Sequence, residues 1–319
     1  VDASIRQSVL KQLNALEKEI VSKLTNEDNL AQTRLKSLFA EVKQLISETY
    51  QSINESMTSD LTELVSIESS KMIKTLESVA LTTTAVLPIE KVISLVKNSL
   101  IAGAPSEEWW SRQDTKLRQA FEDQVRTGVL LGETNNDIIK RIRGTRAFNY
   151  TNGIMNVARN EAEALVRSSV QTASNQARFE ALEENNDLIT SYRHVATLDS
   201  RTSDVCIVRD GKRWDAKTKK PIGHNLAFQV PPIHWNCRST LIPEIEGVNL
   251  DLGTRASVDG PVSGKTTFED FLKKQDKAFV EETLGKGKAE LFLQGKITLR
   301  QLLDQSGNPL TLKQLKELI

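Results

Sequence analysis

The longest uninterrupted helical pattern in the chain runs from about Tyr150 to Glu184, and it limits the possible folds more than any other feature. Ile154, Ala158, Ala162, Leu165, Ser169, Ala173, Ala177 and Ala181 fall on one side of it at helical spacing. Small residues at that spacing let a neighbouring backbone come close, so the pattern predicts a central strut flanked by other helices. Asn185 and Asn186 stop it.

The flanking helices can be read upstream. Ile5, Val9, Leu13, Leu16, Ile20 and Leu24 define one apolar stripe. After the polar break Asn26–Asn29, a second runs through Leu35, Leu38, Val42, Leu45, Thr49 and Ile53. A third follows at Leu61, Leu64, Ile67, Met72, Leu76 and Val79. Such helices gain stability by packing their stripes together or against a partner, which leaves two arrangements open for residues 1–104: a bundle or an elongated arm. Leu81–Pro88 breaks the pattern, and Pro105 precedes a helix that Ser106 is expected to cap, with the stripe Trp110, Leu117, Phe121, Val125 and Val129. Thr134 and Gly144 bound a shorter helix.

Periodicity changes at residue 191. YRHVATL alternates as a strand does, VCIV and KRW on either side of Asp210-Gly211 read as a hairpin, and CRSTLIPEI offers a further strand. Residues 246–265 carry Gly247, Gly253, Gly260, Pro261 and Gly264 and read as an extended loop held by its surroundings. Thr266 with Glu269 makes a capping box, after which glycine-punctuated short helices run to the end. The expected fold is therefore α+β and predominantly helical: a helical N-terminal region (1–104), a helical segment with the long central helix (105–190), a small β-rich Cys/His module (191–245), an extended loop (246–265) and a short-helix tail (266–319).

Composition narrows the function classes. Lys and Arg number 42 against 42 Asp and Glu, so no global charge favours nucleic acid, and 5% aromatics disfavours base-stacking platforms. No apolar run is long enough for a membrane helix, and the start has no apolar secretory core. P-loop, dinucleotide, nucleophile-elbow and HExxH patterns are missing, and the chain is expected not to be an enzyme.

One cluster could carry chemistry. Cys206, His224, His234 and Cys237 use both cysteines and two of the three histidines within 32 residues. His234 and Cys237 are three apart, so a tight turn could aim both at one point, with Cys206 as a third thiolate–imidazole ligand suited to Zn²⁺. The fourth ligand would be His224 or Asp204. Buried cysteines acting as small hydrophobes, or a disulfide, are the alternatives. His194, alone on a strand, reads as a buried structural residue. Two basic groups could touch DNA phosphates or a partner: Arg209, Lys212, Arg213, Lys217, Lys219 and Lys220, and Lys140, Arg141, Arg143 and Arg146.

Four segments in order resemble the phage head-morphogenesis proteins typified by Mu protein F and the SPP1 minor head protein: ARNEAEALVRSSVQTASNQARFEAL, HVATLDSRTSDVCIVRDGKRW, VPPIHWNCRSTLIPE and the tail from Thr266. Together they span about residues 105–319. Family members often carry a further cysteine three residues after the first and another in a final C-R-C; here Arg209 and Ser239 stand there. That departure favours a stabilising network over a metal centre. Arg201, Thr202 and Asp210-Gly211 match the family's D-x-R-T element and turn, with structural roles expected. The resemblance implies a minor capsid protein of the virion, at the portal vertex or capsid interior. Its implied partners are portal and major capsid proteins, with a role in genome packaging or delivery and host cytoplasm as the site of assembly. A metal-dependent nuclease or other enzyme on the Cys/His cluster, and a non-specific DNA-binding accessory protein, are the rival classes. No fused toxin domain is expected beyond the tail, and Val1 at the first position leaves N-terminal processing open.

Overall fold

The computed structural model describes residues 2–26, 32–80, 82, 84–247 and 253–319. The chain runs α1 (Asp2–Thr25), α2 (Gln32–Ala80), α3 (Ile89–Asn98), α4 (Ser106–Leu130), α5 (Asn135–Arg143), α6 (Ile154–Glu183), β1 (Ser191–Val195), α7 (Asp204–Arg209), β2 (Arg213–Asp215), β3 (Pro221–Ile222), β4 (Thr240–Glu244), β5 (Thr254–Ser257), β6 (Gly260–Ser263), α8 (Phe268–Leu272), α9 (Lys277–Leu284), α10 (Lys286–Leu293) and α11 (Leu312–Glu317). The α+β class holds: helices make the bulk, and a small sheet carries the Cys/His module. Among the described residues no helix is long and apolar enough to cross a membrane.

The chain divides into two compact units, Val1–Ser66 with Ile89–Ala173, and Ile67–Pro88 with Ser174–Ile319. The first is all helix. Every residue of the expected first stripe, Ile5 to Leu24, is buried. The second and third stripes lie on one helix, α2, and the buried face is shifted from the one expected. Ile46 and Tyr50 are buried where Leu45 and Thr49 were expected, because the aromatic side chain fills the contact with α4. There Phe39 meets Phe121 edge-on at 6.2 Å, Tyr50 lies 6.2 Å from Trp110, and Ser47 Oγ donates to Asp114 at 3.1 Å. On α1, Glu17 accepts from Arg159 of α6 at 2.6 Å.

Local signals held unevenly. Thr134 caps α5, accepting from the Asp137 amide at 3.2 Å, and Gly144 ends it at φ 94°. The N-cap of α4 is Pro105, and Ser106, expected to cap, opens the helix with its hydroxyl buried and unpartnered. The capping box of α8 uses Thr267 and Asp270, one residue beyond the Thr266–Glu269 pair expected. The break at 27–29, Leu81, Thr83 and residues 248–252 of the expected loop lie outside the described residues.

In the second unit β1 is the centre of a sheet of order β3-β2-β1-β4, antiparallel throughout, with Tyr192 opposite Trp214 and His194 opposite Leu241. VCIV is not a strand: Asp204–Arg209 form α7, capped by Ser203. A short apolar run has no period that separates the two states, and the Ser-Asp start decides for helix. The described part of the glycine-rich loop pairs as the β5–β6 hairpin. Fully buried Trp214 anchors a core with Leu198, Ile207, Phe268, Leu272 and Leu302.

Candidate metal centre

Cys206 projects from α7, whose cap residue Ser203 accepts from the Cys206 amide at 3.4 Å. His234 and Cys237 come from the turn before β4. The Cys237 amide donates to the His234 carbonyl at 3.2 Å, and Asn236 takes the left-handed conformation, φ 58°, that closes the turn. Asn tolerates that region because its short amide can bond locally.

These elements bring three donors together. Cys206 Sγ lies 3.1 Å from His234 Nε2 and 3.6 Å from Cys237 Sγ, and all three ligand atoms lie within 4.8 Å of one another. A disulfide would need sulfurs about 2 Å apart, so both cysteines are free. Zinc–sulfur bonds of about 2.3 Å at tetrahedral angles place two thiolates about 3.8 Å apart, close to the separation found. His234 Nδ1 lies 2.9 Å from the Trp235 carbonyl, which can only accept. Nδ1 therefore carries a proton, and Nε2 faces the sulfurs. The donor set fits a thiophilic divalent ion such as Zn²⁺.

Electrostatics agree. The Cys206 thiol, donating to Cys237, pulls the Cys237 pKa down to about 3, helped by His234. The same hydrogen bond, with burial, pushes Cys206 far up, and Cys237 in turn raises His234. The proton the two sulfurs share across 3.6 Å is what a cation would displace.

His224 does not join the cluster. Its Nε2 lies 2.8 Å from the Arg213 carbonyl, its Nδ1 accepts from the Leu226 amide at 3.2 Å, and its ring meets Trp214 edge-on at 4.8 Å. Asp204 is paired with Lys288 at 2.7 Å. The fourth side is instead a narrow cleft of about 10 Å³, room for about one water, lined among others by Thr202, Ser203, Asn236, Arg201 and Arg238. Ser203 Oγ is 2.8 Å from His234 Nε2. Three protein donors beside an open side is the arrangement of catalytic rather than purely structural zinc sites. The expectation that the chain is not an enzyme is overturned by this cluster.

The basic groups are largely committed elsewhere. Arg209 is buried, donating to the Ala227 carbonyl at 2.9 Å with its guanidinium over Trp214, so it cannot reach a phosphate. Lys219 pairs with Glu183 at 2.6 Å and Arg213 with Glu244 at 3.3 Å. Lys212, Lys217 and Lys220 make no ion pair among the described residues, and Lys217 and Lys220 are exposed. Lys140, Arg141 and Arg143 pair with Asp137, Glu133 and Glu17 at 2.7, 2.5 and 3.3 Å, and Arg146 makes no such pair among the described residues.

The supporting residues were not visible in spacing. Asp199 holds Arg238 through both carboxylate oxygens, at 2.5 and 2.6 Å. Asp210 accepts from the Ala196 amide at 2.9 Å, the Phe268 amide at 2.7 Å and Arg255 at 2.6 and 3.0 Å. Their only signal was position: Asp199 opens the D-x-R-T element, and Asp210 sits at the turn.

Fold and site define a predominantly helical α+β protein with a Cys₂His cluster on a small sheet module. Residues 119–242, from within α4 to within β4 and including all three donors, match the family described as Phage Mu protein F like protein. Over that stretch the chain is similar to this family. No curated protein and no solved structure matches it.

Proposed function

We propose that the protein is a minor head protein of a tailed phage, acting in head morphogenesis at the portal vertex or capsid interior and contributing to genome packaging or delivery. Its partners are then the portal protein, the major capsid protein or both, with non-specific contact to packaged double-stranded DNA. It is made in host cytoplasm and retained in the virion. The family match over residues 119–242 carries this reading. The test is a cryo-EM reconstruction of purified particles without imposed symmetry, with mass spectrometry on the same sample. Density for the chain at the vertex is the expected result. Absence of the chain from purified particles overturns the reading.

A second reading rests on the three donors beside a cleft: metal-dependent chemistry on the module. A bound Zn²⁺ would supply Lewis acidity and lower the pKa of a water in its fourth position. Cys206, His234 and Cys237 would hold it, Trp235 would orient the imidazole through Nδ1, and Ser203 would flank Nε2. Metal analysis of the purified chain checks this: about one equivalent of metal, lost in Cys237→Ser, is expected. A chain with no bound metal after zinc incubation excludes it.

A further inference from the structure

The helical unit carries a cleft of its own between α2 and α4, of about 210 Å³, lined among others by Tyr50, Asn54, Glu107, Trp110 and Asp114. Tyr50 and Trp110 are 2% and 1% exposed and close its inner side, with ring centroids 6.2 Å apart. Three of these side chains hold a buried polar atom with no hydrogen-bond partner among the described residues: the Tyr50 hydroxyl, Asn54 Oδ1 and Trp110 Nε1. An unmet buried polar group is costly, and three around one cleft point to a ligand that meets them.

Charge selects that ligand. Glu107 and Asp114 are the charged groups of the lining, which contains no Lys or Arg. Asp114 accepts from Ser47 at 3.1 Å and pairs with Arg118 at 2.7 Å, while Glu107 is exposed and makes no ion pair among the described residues. The negative field reaches the inner side, where Glu161 and Asp114 add to burial in pushing the Tyr50 hydroxyl up. An anion is repelled here and a cation drawn in. Two carboxylates are too few for Ca²⁺, which takes about six to eight oxygens, and the aromatic pair favours an organic cation. A protonated primary amine has three N–H groups. They match Glu107, a remaining lone pair of Asp114 and, after a turn of the half-buried amide, Asn54 Oδ1. The Tyr50 hydroxyl and Trp110 Nε1 lie deeper and are met by a water carried in with the amine. There is room for both, since about 210 Å³ equals roughly seven water volumes of about 30 Å³.

We propose that the cleft between α2 and α4 binds a protonated primary amine, with Glu107 as the exposed counter-charge at its mouth and Asp114 as the fixed one inside. A free polyamine and the lysine side chain of another chain present this same group. The Cys/His donors lie in the other unit and play no part.

Calorimetric titration of the full chain with 1,4-diaminobutane at low salt tests it, and one saturable site per chain is expected. A second arm, with Nα-acetyl-lysine methylamide, tells a free amine from a lysine side chain; saturable binding in either arm supports the proposal. Glu107→Gln, at an exposed position that does not endanger folding, should weaken binding roughly 10-fold. Glu108→Gln removes the same charge one residue along α4, outside this lining, and should leave the affinity unchanged. Equal losses in the two variants reduce the binding to general attraction by an acidic helix start and overturn the site. So does equal affinity in Glu107→Gln and the parent. Absence of saturable binding in both arms, or displacement of the amine by one equivalent of Ca²⁺, overturns it as well.

Discussion

The two units of the chain solve the burial problem in opposite ways. In the helical unit, α1 buries an unbroken apolar series from Ile5 to Leu24, and its charged groups stay at or near the surface. In the second unit, β1 buries His194, the turn after α7 buries Asp210, and Arg255 is buried against it. The first arrangement draws on apolar area, which is tolerant of detail. The second depends on satisfied polar groups, which are strong only when every partner is present. A module that must hold two thiols, an imidazole and a cleft cannot be built from leucines, and the buried Asp210–Arg255 pair is what fixes its parts.

That contrast breaks most visibly at Asp210. Asp210→Ala leaves Arg255 buried without its counter-ion and also removes the acceptor of the Ala196 and Phe268 amides. A loss of about 3–5 kcal/mol is expected. Hydrogen exchange should show protection falling in β1 and α8. The matched change in the helical unit is Leu13→Ala, fully buried on α1, expected to cost about 3 kcal/mol with protection falling in α1. Should Asp210→Ala lose less than Leu13→Ala, the polar pair is dispensable and the comparison fails.

The same contrast separates what was legible in the sequence. The stripe on α1 was readable residue by residue because a helix face is a local property of spacing. Cys206, His234 and Cys237 could be grouped because their chemistry is rare in this chain. The Asp210–Arg255 pair spans 45 positions, with no period to announce it. His224 failed as a ligand because the Arg213 carbonyl and Trp214 claim its ring, which no spacing reveals. VCIV was misread since four apolar residues fit a strand or a helix equally, and Ser203 as cap settled it.

His194 sharpens the comparison through pH. It is fully buried and neither ring nitrogen has a partner among the described residues. Burial lowers its pKa from 6.5 to about 4, outweighing the attraction of Asp210. Between those values the unfolded chain binds the proton and the folded chain does not. Stability is therefore fully present above pH 6.5 and falls as pH drops toward 4, by about 3 kcal/mol in all. His194→Phe, which has no ring nitrogen to desolvate, should be near neutral at pH 7.5 and should lose that slope. Urea midpoints at pH 7.5 and 4.5 measure it; identical slopes in both proteins would show that His194 is not the group responsible.

The smallest expected effect is also the most discriminating, because it compares the same device in both units. Thr134 and Ser203 are each N-caps, accepting from Asp137 and Cys206 amides at 3.2 and 3.4 Å. Either one replaced by Ala should cost about 1 kcal/mol from the freed helix-terminal amide. The Thr134 hydroxyl keeps both of these hydrogen bonds within its own helix start, donating to the Asp137 carboxylate at 2.7 Å. Ser203 has a second contact, 2.8 Å from the His234 Nε2 that faces both sulfurs. With Nδ1 protonated, the Ser203 hydroxyl donates to the one Nε2 lone pair that a cation would take. Ser203→Ala should therefore strengthen Co²⁺ binding severalfold while Thr134→Ala leaves it unchanged. If both variants bind Co²⁺ as the parent does, Ser203 acts only as a cap, and the donors are positioned by the backbone turn at Asn236 alone.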